Sequence, residues 1–232
     1  MLRRSPELVL SLVAIVFITI AYLLVSFIFE QYPASSSFFG HTLGILGFIL
    51  MVLTETLYPL RKQVQNARWG NMSAWLQFHI FTGLVGPYMV LLHASWQFNG
   101  LAGVLTLLTL IIVVSGFIGR YIYTAIPRTP EGVEISLEEL HGQEVRIETE
   151  LVSTLEGWRA VASPSLATKT SQAGVESLTR EKARIHNQIQ TINNRRRMLA
   201  IWHVVHIPLG LALFTVAVLH IIAAIYYANL IR

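Results

Sequence analysis

The chain has no cysteine and no aspartate in its 232 residues. Without sulfur there can be no thiolate-ligated iron–sulfur cluster, no cysteine-based zinc site, no disulfide and no thioether-attached haem. With glutamate as the sole acid, any metal or redox chemistry has to rest on His and Glu. Charge of either sign is also scarce, at 13% of residues, against roughly 25% in an ordinary soluble domain. Apolar residues reach 53% and the mean hydropathy is +0.55, which excludes disorder and argues against an aqueous globular fold. The formal net charge of +4 and pI near 9.6 do not point to nucleic acid, because the basic residues cluster at the ends of apolar runs.

The few charges are concentrated. Residues 120–199 hold 11 Lys/Arg and 10 Glu, so 21 of 30 charged side chains lie in 80 residues and nine in the other 152. That is the pattern of an integral membrane protein with one polar excursion. A hydrocarbon core about 30 Å thick needs roughly 20 apolar residues as a helix. Five segments qualify: Leu8–Phe29, His41–Leu60, Met72–Trp96, Leu101–Tyr123 and Leu199–Leu230. The first is longer than a signal-peptide core and is expected to be retained. Gln97-Phe98-Asn99-Gly100 is a tight turn that makes the third and fourth helices antiparallel neighbours.

Lys/Arg bias sets the expected orientation. Arg3, Arg4, Arg61, Lys62, Arg68 and eleven more in the excursion fall on one side; the other shows Glu30 and Arg232. The sequence thus predicts an all-α integral membrane bundle of five transmembrane helices, with a cytoplasmic N-terminus and the C-terminus outside. Residues 1–123 carry helices 1–4, 124–198 form a cytoplasmic helical hairpin, and 199–232 supply helix 5, packing with the first four as one domain. The basic-inside pattern suits a bacterial inner membrane.

The hairpin reading rests on a capping box, Ser136 with Glu139, and on two helical stripes. The first is Leu137, Leu140, Ile147, Leu151 and Leu155; the second, Val175, Leu178, Ile185, Ile189, Ile192 and Leu199, runs on towards the fifth span. Residues 158–174, rich in Ser, Thr, Ala and Gly, read as the turn between them. The hairpin either connects spans or serves as a docking platform. Arg195, Arg196 and Arg197 suit lipid headgroups.

Ionisable residues inside a membrane are functional candidates by default, and six of the eight histidines lie in or at the spans. His79 and His93 are 14 residues apart on the third span, as are His206 and His220 on the fifth. Fourteen residues advance a helix by roughly 21 Å and return it to within about 40° of the same face. The two helices run parallel, and His79 and His206 each stand seven residues into their spans. The histidines therefore form two pairs at matched depths, the arrangement that two bis-histidine haems require. Gly83 and Gly210, each four residues after the first histidine of its pair, would give a macrocycle clearance at the helix backbone. Core histidines hydrogen-bonded between helices, or another metal, are the competing readings. A non-haem metal is disfavoured by the wide separation and the lack of nearby carboxylates.

These spacings resemble the di-haem b-type cytochromes, and most closely the ferric-reductase-like transmembrane domain, over about residues 72–230. Trp202-His203-Val204-Val205-His206-Ile207-Pro208-Leu209 also looks like a segment of stand-alone bacterial membrane cytochromes. The resemblance implies histidine pairs on the third and fifth helices, here His79/His93 and His206/His220, and two haem b groups. This chain departs from the pattern in showing no sixth helix and no flavin or nicotinamide domain.

Other residues have weaker claims. His203 could replace His206 as ligand, or bond a haem propionate or a quinone carbonyl. His41, opening the second span, could serve an outer quinone or propionate. Glu55, the only acid inside a span, either snorkels towards Arg61 or Lys62 or takes a proton beside a quinone. Arg68 and Arg120 suit inner-haem propionates, or simply anchor helices. His141 and His186 read as solvated.

The expectation is a transmembrane electron conduit, the membrane subunit of a respiratory-type oxidoreductase rather than a complete enzyme. It would exchange electrons with the quinone pool or with a partner subunit of iron–sulfur, flavin or cytochrome c type, in contact with membrane lipid and without nucleic acid. The alternatives are an outer-face metal-ion reductase and a non-redox membrane scaffold or transporter.

Overall fold

The computed structural model of the chain describes residues 5–64, 70–126, 136–160 and 167–230. Among them are six α-helices and no strand: α1 Pro6–Ile28, α2 Phe38–Gln63, α3 Met72–His93, α4 Gly100–Thr124, α5 Leu137–Ala160 and α6 Ala167–Leu230. Five of them, all but α5, contain stretches long and apolar enough to cross a membrane. Local chemistry sets the helix starts. Pro6 opens α1, where its missing N–H costs nothing. The Ser37 hydroxyl accepts the Gly40 N–H at 3.0 Å to cap α2, and the Ser136 hydroxyl accepts the Glu139 N–H at 3.4 Å at the start of α5.

Most boundaries differ from the sequence expectation, and two of the differences have a plain physical cause. α3 stops at His93 rather than Trp96, because Ser95 and Trp96 take left-handed backbone angles, φ 48° and 61°, which a right-handed helix does not continue. The Ser95 hydroxyl donates instead to the Pro33 carbonyl at 2.7 Å. The fifth span, expected to begin at Leu199, has no separate start; it is the latter part of the single 64-residue helix α6. No Gly or Pro interrupts residues 175–207, so nothing breaks the helix where polar sequence gives way to apolar.

The described chain forms two compact units. The first, Met1–Phe117 with Val204–Arg232, is organised around an antiparallel α2/α3 pair. At its crossing Gly47 meets Gly86: a Cβ on either would stand 2.9 Å from the other's carbonyl oxygen. Small residues let two backbones approach so closely, as is common between helices in lipid. α1 packs on α3, with Tyr22 buried among Leu43, Val85, Met89 and Leu92, and with the Thr19 and Tyr88 hydroxyls bonded at 2.5 Å. Met51, Ile112 and Leu213 join α2, α4 and α6 in a second apolar cluster, against which Val90 of α3 packs. Outward faces are apolar too: Phe17 is 73% exposed, Phe27 82% and Leu211 70%. Lipid accepts such a surface and water does not.

The second unit is Ile118–His203. Leu140 of α5 is buried with Ile185, Ile189 and Ile192 of α6, and Leu137 and Ile147 pack on them. Lys182 bonds Glu148 and His186 bonds Glu144, both at 2.9 Å. The α5 partner moves back four places as α6 moves on four, so the two helices run antiparallel. Both predicted stripes supply this contact, although Val175, Leu178 and Leu199 at the stripe's ends are half-buried rather than core.

Candidate functional site

The α2/α3 register places the first two histidines. The His79 ring nitrogen Nδ1 lies 3.0 Å from the Thr54 carbonyl oxygen, and His93 Nδ1 lies 2.8 Å from the Gly40 carbonyl oxygen. The acceptors are 14 residues apart on α2, as the histidines are on α3. In both pairs, and at the Gly47/Gly86 crossing midway between them, the two residue numbers add to 133. A single antiparallel register therefore serves both rings. A carbonyl can only accept, so Nδ1 carries the proton in each ring and Nε2 keeps its lone pair. That tautomer presents Nε2 as a metal ligand, held in orientation by the bond on the other nitrogen.

Each ring has further support. Tyr58 lies 5.3 Å from His79 between ring centroids. Behind it the Thr54 hydroxyl bonds that of Thr82 at 2.7 Å, and Thr82 is fully buried. Gly44 leaves the room that His93 fills: a Cβ there would stand 2.9 Å from both Cγ and Nδ1 of the ring. His41 packs beside His93, centroids 6.2 Å apart.

On α6, His206 Nδ1 lies 3.0 Å from the Ser115 hydroxyl of α4, with Gly116 beside the ring, its ideal Cβ position 4.0 Å from Cε1. His203 turns back on its own helix, its Nδ1–H donating to the Leu199 carbonyl at 2.7 Å. His41 does the same towards Ser37, at 3.1 Å.

The two glycines expected to give clearance adjoin protein atoms. A Cβ on Gly83 would stand 3.3 Å from the Thr54 methyl, and one on Gly210 would stand 2.5 Å from Glu55 Oε1. Glu55 thus reaches α6 rather than Arg61, whose guanidinium donates to the Val64 and Gly70 carbonyls at 3.0 and 3.3 Å. Because Thr54 and Glu55 are consecutive, one turn of α2 touches both His79 and the backbone one turn from His206. Arg120 lies near the end of α4, half-buried; Arg68 lies outside the described residues.

Among the described residues no three His or Glu side chains gather around a common point. A zinc or manganese ion needs at least three protein donors. A haem brings four nitrogens of its own and asks the protein for one or two axial ligands, a demand that the Nδ1-bonded imidazoles of His79 and His93 can each meet singly. Thr54, Thr82, Ser115, Tyr58 and Gly44 had no part in the sequence expectation; of these, only Thr54 carried a hint, by its place next to Glu55. No known family model, curated protein or solved structure matches the chain.

Proposed function

We propose that this chain carries electrons across a membrane through two b haems, one held by His79 and His206 and the other by His93 and His220, in the manner of the di-haem b-type cytochromes. The observation that carries this reading is the pair of Nδ1–H bonds from His79 and His93 to backbone carbonyls of α2 in one register. They leave two Nε2 atoms about 21 Å apart along one helix, each in the tautomer that binds iron. Bound haem would supply one-electron carriers at each site. The chain supplies the axial imidazoles, fixes their orientation through Thr54, Gly40 and Ser115, and excludes water with the Met51, Ile112 and Leu213 cluster between the two levels.

In this reading the α5/α6 hairpin and the N-terminus are cytoplasmic, the C-terminus is outside, and the membrane is a bacterial inner membrane. Quinone, or a partner subunit of iron–sulfur, flavin or cytochrome c type, exchanges electrons with the chain as part of a respiratory-type oxidoreductase. His203 and His41 are contacts for propionate or quinone, and Arg120 and Arg68 pair with propionates.

A reduced-minus-oxidised visible spectrum with haem quantified per chain tests the proposal. Two low-spin b haems are expected, falling to one in His93→Leu or His220→Leu. A second reading is favoured by the same hydrogen bonds: imidazoles that simply bridge α2 to α3 and α4 to α6 as polar packing. A folded, haem-free protein after expression with ample haem would establish that reading instead.

A further inference from the structure

The joins of α1 to α2 and of α3 to α4 lie together at one end of the first unit, tied by the Ser95 hydroxyl, which donates to the Pro33 carbonyl at 2.7 Å. We infer that this end is seated in the ester-carbonyl layer of the bilayer. Its two loops bind phospholipid through aromatic rings and uncharged hydrogen-bonding groups, and do not project into water as a docking surface for a soluble protein. The inference goes beyond the proposed function and holds with or without haem.

Three observations point the same way. The first is the scarcity of charge. Of the loop residues 29–37 and 94–99, Glu30 alone is charged, and from 69 to 119 the sequence has no Asp, Glu, Lys or Arg at all. Soluble partners are steered and selected through complementary charge, which loops with a single carboxylate cannot supply. The exposed polar groups are instead the hydroxyl of Ser36 and the amides of Gln31, Gln97 and Asn99. Such groups hydrogen-bond to the oxygens of an ester as readily as to water.

The second is what the end exposes in place of charge. Phe38 is 89% exposed and Trp96 62%, and Phe27, Phe29, Tyr32 and Phe98 are exposed as well. Phe27 and Phe29 carry on the apolar surface that α1 presents along its length, so the patch continues the lipid-facing surface. In water a patch of this kind would invite association. Trp and Tyr rings, apolar with one polar edge, suit the boundary between acyl chain and headgroup.

The third is a backbone arranged to present these rings. Ser95 and Trp96 are both left-handed, at φ 48° and 61°, which costs a non-glycine residue energy and persists only where the surroundings hold it. The Ser95–Pro33 bond is one such hold; another is the Gln97 N–H, which donates to the Ala94 carbonyl at 2.9 Å. Trp96 is thereby turned out of the line of α3, its ring edge-on to Phe98 with centroids 6.3 Å apart. The pair stands just beyond His93, the last residue of α3. Seated in the ester layer, it fixes the end of α3 at that depth and keeps His93 inside the hydrocarbon.

The test exploits the absence of native cysteine. Tyr32→Cys, Phe38→Cys and Phe98→Cys each replace an exposed side chain, and each variant is spin-labelled as the full chain in phosphatidylcholine vesicles. Phe17→Cys, exposed midway along α1, is the hydrocarbon reference, and Glu150→Cys, exposed on the charged α5, the aqueous one. Collision with oxygen, which concentrates in lipid, is compared with collision with a water-soluble nickel chelate. Labels at 32, 38 and 98 should meet the chelate several-fold less often than the label at 150, and oxygen more often, which places them between the two references. Labels as open to the chelate as the one at 150 overturn the inference and leave the loops in water. Labels closed to both reagents overturn it too, since a second copy or another protein then covers the patch. Three separate positions prevent one variant that fails to fold from deciding the outcome.

Discussion

Alanine at Gly44 and at Gly83 should have opposite effects, and the structure says why. Within a helix, Gly→Ala contributes up to about 1 kcal/mol of propensity, so in open space both changes would stabilise. At Gly44 the new methyl would stand 2.9 Å from Cγ and Nδ1 of His93 and 3.0 Å from Cδ2. Carbon contacts settle near 3.5–4.0 Å, so the ring has to retreat by about 0.7 Å. Its Nδ1–H bond to Gly40, 2.8 Å long, would stretch beyond useful length or bend. Losing that bond costs about 0.5–1.5 kcal/mol, and overpacking adds about 1–3 kcal/mol; together they exceed the propensity gain. At Gly83 the nearest atom is the Thr54 methyl at 3.3 Å, which needs to give only a few tenths of an ångström. Gly44→Ala should therefore lower the melting temperature in detergent and, if the proposed function holds, cost the His93/His220 haem, leaving about one haem per chain. Gly83→Ala should melt at or above the wild-type temperature and, on the same proposal, keep both haems. Equal haem content and stability in the two variants would refute the reasoning, because it would mean that the His93 ring is not held against Gly44.

Gly86→Leu should separate α2 from α3, since the nearest atom to a Cβ there is the Gly47 carbonyl oxygen at 2.9 Å, a backbone atom with nowhere to go; a loss of about 1–3 kcal/mol would be read by thermal unfolding in detergent. Thr54→Val removes the hydroxyl bond to Thr82 at about 1 kcal/mol but keeps the carbonyl that holds His79, so stability should fall while the visible spectrum stays unchanged. Ile192→Ala, at a side chain only 1% exposed between α5 and α6, should cost about 2–5 kcal/mol, whereas Lys182→Ala, in a pair 33% and 56% exposed, should cost less than about 1 kcal/mol; protease protection of α5 would rank the two.

The spans were legible, as was the even spacing of the histidines, because these signals are carried by side chains at fixed helical periods. Leu8–Phe29 is apolar whichever way it faces, and 79/93 matches 206/220 without knowledge of any contact. The partners of those histidines were not legible. Gly40 and Thr54 contribute backbone carbonyls, which every residue owns, so sequence cannot distinguish the two that matter. Ser115 is one hydroxyl among many, and only the antiparallel packing of α4 on α6 brings it to His206. Glu55 was legible as an oddity, a lone acid in a span, but a nearby cation is always the simplest expectation for such a group. The structure gives Arg61 to backbone carbonyls and Glu55 to a glycine on another helix.

The register that unites the site depends on one contact that sequence could not single out. Glycines are spread along α2 and α3 at 40, 44, 47, 83 and 86, and several pairings would let the two backbones approach. The pairing of 47 with 86 sets His79 opposite the Thr54 carbonyl and His93 opposite the Gly40 carbonyl. Sliding α3 by a single residue would turn both rings about 100° from their acceptors, and two buried imidazole N–H groups would be left unbonded at about 1–3 kcal/mol each. The Gly47/Gly86 approach and the two histidine bonds therefore select one another. The close contact permits the register and the polar groups at either end hold it, so two imidazoles about 21 Å apart are aligned by a single helix pairing.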